Sequence, residues 1–232
     1  MTRRYFAPEL TSGDRIQSLP AEEAVHAARL MRCKVGDSMV LFDGEGYEAN
    51  AVIESIGKRE CIVRTEAPTS VDREPTCRSH FYVALPKPDR SKEMVERLTE
   101  LGAGKLTPIV CQRTQRPPSD GLLEKLRRLV VEACKQSGRN RLMQITPVAH
   151  FDASLQAPPV NAARWFAHPG GVSLRELATE PLDSASVWIG PEGGFSDEEV
   201  AIAKGVGLSA VGLGPRIYRI ETAACVIASA LA

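Results

Sequence analysis

Val187-Trp188-Ile189-Gly190-Pro191-Glu192-Gly193-Gly194-Phe195-Ser196-Asp197-Glu198-Glu199-Val200 runs from an apolar strand pattern through a glycine-rich turn into a helix start. One strand–helix unit later, Val211-Gly212-Leu213-Gly214-Pro215-Arg216-Ile217-Tyr218-Arg219-Ile220-Glu221-Thr222-Ala223-Ala224 repeats the plan. Glycine allows close backbone approach, and proline fixes one turn residue while removing a donor. A strand that ends in such backbone and turns into a helix is where open α/β sheets bind ligands. Two of them, one unit apart, can wall a single pocket. Ser196 and Glu199 have capping-box spacing, worth about 1 kcal/mol. The helix is then anchored and its preceding loop rigid, with backbone N–H and C=O groups able to read the edge of an adenine. A plain strand-to-helix connection needs fewer glycines than the three around Pro191 and Glu192.

Working outward, the same alternation covers residues 75–232. Strands are expected at His80–Leu85, Leu106–Val110, Arg164–Ala167, Ser186–Ile189 and Ala210–Leu213. Helices are expected at Asp89–Leu101, Leu122–Gln136, Leu174–Leu177, Asp197–Val206 and Ile220–Leu231. The fold class is therefore α/β, a mostly parallel sheet with helices on both faces. His168-Pro169-Gly170-Gly171 reads as a third strand-end turn, whose histidine either bonds a ligand or caps backbone. Residues 1–70 read differently. Short runs at Ser38–Phe42, Glu48–Ile56 and Glu60–Thr65, separated by Gly36-Asp37 and Asp43-Gly44-Glu45-Gly46, predict a small β-barrel. A helix opening at Pro20 precedes them. The polar stretch Thr69–Pro75 marks the boundary between two domains, 1–70 and 75–232.

The 232 residues are 43% hydrophobic and 25% charged, an ordinary globular composition. Apolar runs fall far short of the roughly 20 residues of a membrane span, and Met1–Tyr5 lacks a signal-peptide pattern. The expectation is a cytoplasmic protein with no membrane partner. None of the six cysteines has C-x-x-C or zinc-finger spacing, so reduced, buried thiols are expected, without metal or disulfide. There is no P-loop, Rossmann fingerprint, H-E-x-x-H or G-x-S-x-G.

A zero net charge hides an uneven distribution. Residues 75–150 carry 14 Lys/Arg against 7 Asp/Glu, while the segments on either side are acidic. This pattern fits either a polyanion footprint or the solvated faces of amphipathic helices. Lys87, Arg90 and Lys92 form a basic strand–helix loop. Lys135, Gln136, Ser137, Arg139 and Arg141 cluster at a helix end, where cations also offset the helix dipole. Arg216 and Arg219, three apart, would share one side of a helical turn and suit phosphate or a planar anionic base. A salt-bridged helix entry is the other reading of the same residues, with Glu221 at the helix start.

At these turns the chain resembles a known family. I-G-P-E-G-G-F-S-D-E-E from Ile189 and L-G-P-R-I-Y-R-I-E-T-A-A from Leu213 are similar to the signature of the RsmE family, uridine-N3 methyltransferases of 16S ribosomal RNA within the SPOUT superfamily. A-L-P-K-P-D-R near Leu85, L-T-E-L-G near Leu98 and E-A-C-K-Q-S-G-R-N from Glu132 extend the likeness over nearly the whole chain. Family members usually show Leu-Arg-Thr where this chain has Tyr218-Arg219-Ile220.

The resemblance implies an N-terminal PUA-like β-barrel and a C-terminal domain with a deep trefoil knot, which general topology rules would not suggest. It also implies S-adenosyl-L-methionine as donor, 16S rRNA or the 30S subunit as partner, and a homodimer. Mapped onto this chain, the donor site comprises His168, Pro169, Ile189, Gly190, Pro191, Glu192, Gly193, Gly194, Leu213, Gly214, Ile217, Thr222 and Ala223. Arg219 and Arg216 are the candidates for stabilising the uridine anion, and Glu221 or Glu192 for taking its proton.

Overall fold

Asp43 reverses the chain between two of the expected strands. Its Oδ1 accepts from the backbone N–H groups of Glu45, at 2.7 Å, and Tyr47, at 3.0 Å, the side-chain mimic of a backbone turn. The computed structural model describes residues 3–10, 15–156, 162–177 and 181–232. In it, this turn lies in a six-stranded sheet made of β1 (Arg4–Phe6), β2 (Ile16–Ser18), β3 (Ser38–Phe42), β4 (Tyr47–Ile56), β5 (Cys61–Thr65) and β6 (Thr69–Ser70). The order is β1-β3-β4-β5-β2, with β6 paired to β4. Only β1 and β3 pair in parallel. Met39 and Leu41 alternate with Ala49, Ala51, Ile53 and Val63 to build one apolar core. Helix α1 (Ala21–Val25) starts after Pro20 and loosens into a π-helical stretch over His26–Leu30.

The second sheet is seven-stranded and wholly parallel. Its members are β7 (Arg78–Val83), β8 (Lys105–Val110), β9 (Gln144–Ile145), β10 (Ala149–His150), β11 (Ala163–Ser173), β12 (Ser184–Ile189) and β13 (Ser209–Gly212). They are ordered β10-β8-β7-β12-β11-β13, with β9 beside β8. The helices are α2 (Pro88–Glu100), α3 (Asp120–Ser137), α4 (Phe151–Ser154), α5 (Leu174–Leu177), α6 (Asp197–Gly205) and α7 (Ile220–Leu231). Strand alternation assigns the two faces. Tyr82, Trp188 and Phe166 are neighbours in register and share a core with Phe151 of α4 and Ala203 of α6. Phe81, Val83 and Val187 point the other way, where α7 packs on β7 and β12 and α2 packs on α7. Helices therefore cover both faces.

The compact units are Met1–Glu74 with Val131–Leu142, and Pro75–Val130 with Met143–Ala232. The boundary read at residues 70–75 needs one correction. Val131–Leu142 packs with the first unit, although the sequence reading places it in the second domain. The cause is a set of polar contacts within that unit. Lys135 Nζ pairs with Glu23 at 3.0 Å, both side chains being buried, and Arg139 Nε donates to Glu74 Oε1 at 2.8 Å.

The polar end of the Tyr82 face yields a pH prediction. His80 stacks on Tyr82, which stacks on Trp188 at 4.4 Å between centroids. His80 Nε2 and Thr107 Oγ1 share a hydrogen bond of 2.7 Å. Burial, with Lys105 nearby, pushes the imidazole down to about 3. The unfolded chain takes up this proton near pH 6.5 and the folded one does not. Stability from this group is thus complete above about pH 6.5 and falls by ~1.4 kcal/mol per unit below it until the folded group titrates. Denaturation of the wild type should show about 2 kcal/mol more loss between pH 6.5 and 5 than the His80→Gln variant. Equal losses would mean that the folded imidazole accepts the proton as readily as the unfolded one.

Candidate active site

Strands β12, β11 and β13 lie side by side and run in parallel, so the loops at their carboxyl ends are neighbours. The first of these loops departs from expectation. His168–Gly171 does not end a strand but lies inside β11, whose register on β13 shifts there, with Ala167 and Val172 both opposite Val211. The extra residues bulge out and the strand resumes. Glycine makes this possible. A Cβ on Gly171 would stand 2.5 Å from the carbonyl carbons of Ala210 and Val211, and one on Gly212 would stand 2.7 Å from the Gly171 carbonyl oxygen. His168 acts as a backbone cap, its Nδ1 accepting from Gly170 N–H at 3.1 Å.

The second loop, Gly190–Ser196, is tightly specified. Gly194 adopts φ +70° and donates its N–H to the Pro191 carbonyl at 2.8 Å. The capping box is formed: Ser196 N–H donates to Glu199 Oε2 at 2.8 Å, and Glu199 N–H to Ser196 Oγ at 3.2 Å. Buried Glu199 also accepts from Gln112 N–H at 2.8 Å. A cavity of about 310 Å³ lies on the β8 and β10 side of this helix start, lined among others by Gln112, His150, Asp152, Ser196 and Ile202. A residue that the sequence reading missed, Arg113, donates through Nη1 to the carbonyls of Gly193 at 2.9 Å and Phe195 at 3.2 Å.

The third loop corrects the picture of two arginines on one helical turn. Residues 213–219 are not helical, because Gly214 sits at φ +106° and Arg219 is extended at ψ 158° as the N-cap of α7. Arg216 is exposed and donates to the Tyr218 hydroxyl at 3.5 Å. Ile217 is 91% exposed, so its side chain faces solvent. Arg219 is exposed and its side chain caps nothing. Glu221 is the contrast. Its side chain is 12% exposed, Oε1 lies 3.7 Å from Arg90 Nε, and Oε2 is buried with no hydrogen-bond partner among the described residues. Thr222 is exposed and Ala223 buried beside it.

The basic residues separate into surface and interior groups. Lys87, Gln136 and Arg141 are exposed, and Lys92 is exposed while paired with Asp89. Ser137 Oγ donates to the Ala133 carbonyl. Lys135 and Arg139 are corrected as RNA contacts: both are buried in ion pairs with Glu23 and Glu74, which neutralise charges that could not otherwise be taken out of water. Burial holds the Glu23 carboxyl above its ordinary range even with Lys135 beside it. Arg90 faces Glu221. Among the described residues no group of three or more His, Cys, Asp or Glu side chains could hold a metal ion.

Residues 72–232 match the family model described as an RNA methyltransferase domain, and residues 19–66 match an RNA methyltransferase PUA domain. A relative from Mycobacterium bovis, ribosomal RNA small subunit methyltransferase E, is 30% identical over 98% of this chain and 90% of its own length. The chain belongs to the small subunit methyltransferase E family. Its fold is similar to a methyltransferase E from Neisseria gonorrhoeae bound to S-adenosylmethionine, with a TM-score of 0.91 and 25% identity, covering 99% and 96% of the two chains. It is equally similar, at 28% identity, to a Legionella pneumophila methyltransferase solved with the same cofactor, over 100% and 97% of the chains.

For a methyltransferase E the three loops fit such a donor. Glycine-lined main chain at adjoining strand ends can approach a flat purine, and the carboxylates of Glu192 and Glu221 suit a cationic or hydroxylated ligand. Oε2 of Glu221 is a buried hydrogen-bond acceptor without a partner among the described residues.

Proposed function

We propose that this chain methylates N3 of a uridine in 16S ribosomal RNA of the small subunit, using S-adenosylmethionine, as a cytoplasmic homodimer. The observation that carries the reading is the convergence of the His168–Gly171 bulge of β11 with the Gly190–Ser196 and Leu213–Arg219 loops at the ends of its neighbours β12 and β13, in a chain of this family. Membership of the family supports a threaded, trefoil-knotted chain at this place. His168, Pro169, Ile189, Gly190, Pro191, Glu192, Gly193, Gly194, Leu213, Gly214, Ile217, Thr222 and Ala223 form the donor site. Exposed Lys87 and Lys92 in one unit, and exposed Gln136 and Arg141 with the PUA domain in the other, each support RNA contact.

S-adenosylmethionine supplies, when bound, a methyl group already activated on a sulfonium. The protein's task is then alignment and charge. The planar Arg219 fork, which caps no helix group, donates to O2 or O4 of the uracil as N3 loses its proton, with Arg216 three residues before it. Glu221 accepts that proton through Oε2, the oxygen without a hydrogen-bond partner among the described residues.

Calorimetry with S-adenosylmethionine, and NAD as control, tests the donor site. Saturable binding of the first and none of the second is expected. A folded sample that binds neither contradicts a preformed donor site. Mass spectrometry of nucleosides from methylated 16S RNA then separates the base from the ribose: 3-methyluridine is expected, and a 2′-O-methyl product would overturn the assignment.

A further inference from the structure

The β8–α3 connection is stapled to the Gly190–Ser196 loop at two points and to the first turn of α6 at a third, yet it belongs to none of the three loops that wall the donor site. Gln112 N–H donates to Glu199 Oε1 at 2.8 Å, and Arg113 Nη1 donates both to the Gly193 carbonyl at 2.9 Å and to the Phe195 carbonyl at 3.2 Å. The connection is itself braced, since Cys111 N–H donates to Thr114 Oγ1 at 2.9 Å. These contacts answer a mechanical need. A loop holding Gly190, Gly193 and Gly194 pays the largest entropy to become fixed. The Ser196–Glu199 capping box anchors only its downstream end, and the Gly194–Pro191 turn only its middle. A guanidinium with several donors in a rigid plane can hold two carbonyls in one mutual orientation, and bonds to a charged donor are about twice as strong as neutral ones.

We propose that Arg113 is a positioning residue for the methyl donor: it holds the carbonyls of Gly193 and Phe195 so that the opposite edge of the loop is preset for S-adenosylmethionine. It does so without touching the reacting groups. The inference rests on the proposed donor site, and the consequence for binding follows from preorganisation. A loop that must be ordered by its ligand binds it more weakly by the ordering cost.

The test measures donor affinity, turnover and loop motion separately on the full-length protein. Arg113→Ala should weaken S-adenosylmethionine binding about tenfold, the loss of roughly one charge-assisted hydrogen bond. Turnover at saturating donor should stay within about twofold of wild type, because the loop is ordered again once the ligand is bound. Amide hydrogen exchange at Gly193–Phe195 should accelerate in the ligand-free protein. Arg113→Lys, which keeps one charged donor and loses the fork, should fall between the two and also guards against a general folding defect in the alanine variant. Faster exchange with unchanged donor affinity would overturn the proposal, since the clamp would then serve the fold alone. Unchanged exchange would overturn the clamp itself. Failure of the donor-site reading looks different: the wild-type protein would not bind S-adenosylmethionine at all.

Discussion

Arg219→Ala is expected to lower methyl transfer by about 10²–10³-fold at saturating substrates, the usual loss when one preorganised donor to a developing anion is removed. Donor affinity should stay within a few-fold, and thermal stability should hardly change. Both follow from the structure, where Arg219 ends its extended run at the N-cap of α7, is exposed, and makes no side-chain cap bond. Its backbone carbonyl, which accepts from Ala223 N–H at 2.8 Å, survives the substitution. Arg219→Lys keeps the charge without the planar fork and should recover only part of the loss. Single-turnover measurements with preloaded donor make the distinction. Turnover that survives the alanine change removes Arg219 from the mechanism, and a parallel collapse of donor binding moves it into the donor site.

Gly171→Ala is expected to be strongly destabilising for a single added methyl group. The added carbon would stand 2.5 Å from two backbone carbonyl carbons of β13 and 2.6 Å from the Ala210 oxygen. Backbone in a parallel sheet cannot give way as a flexible side chain can. Overpacking of this kind costs ~3 kcal/mol or more. For a chain of this length that lowers the melting temperature by ~6–12 °C. Donor binding should weaken as well, because the bulge at His168–Gly171 and the end of β13 would be forced apart. Gly205→Ala is the control, since nothing lies within 4 Å of its Cβ position. A Gly171→Ala protein as stable as that control would show that the two strands do not meet as described.

The two glycine–proline turns were readable because they follow local rules. The apolar run up to Ile189, the Ser196–Glu199 spacing and the alanine-rich stretch from Ile220 each specify their own element, and the capping box, α5 at Leu174–Leu177 and α7 at Ile220–Leu231 coincide with expectation. What stayed hidden depends on distant partners. Lys135 looks like any cation at a helix end until Glu23, 112 positions away, takes it into the interior. Arg113 sits in a polar stretch without pattern, and its partners are main-chain oxygens 80 and 82 positions later, which carry no side-chain signal. The bulge in β11 was hidden for a related reason. Pro169-Gly170-Gly171 has the local chemistry of a strand end, and only pairing with Val211 on both sides reveals that the strand continues.

One helix has an evolutionary corollary. Residues 120–130 of α3 belong to the unit built on the parallel sheet, and residues 131–137 to the unit built on the mixed sheet. The chain leaves the first unit at Glu74, returns to it at Val131 and departs again at Met143. A PUA domain arranged in this way cannot be cut out at a single seam, swapped for another, or lost by one truncation. Removing residues 1–74 would strip Glu23 from Lys135 and Glu74 from Arg139. The two halves of such an enzyme are therefore bound to be inherited, and to diverge, as one gene, unlike the interchangeable cassettes from which many RNA-modifying proteins could be assembled.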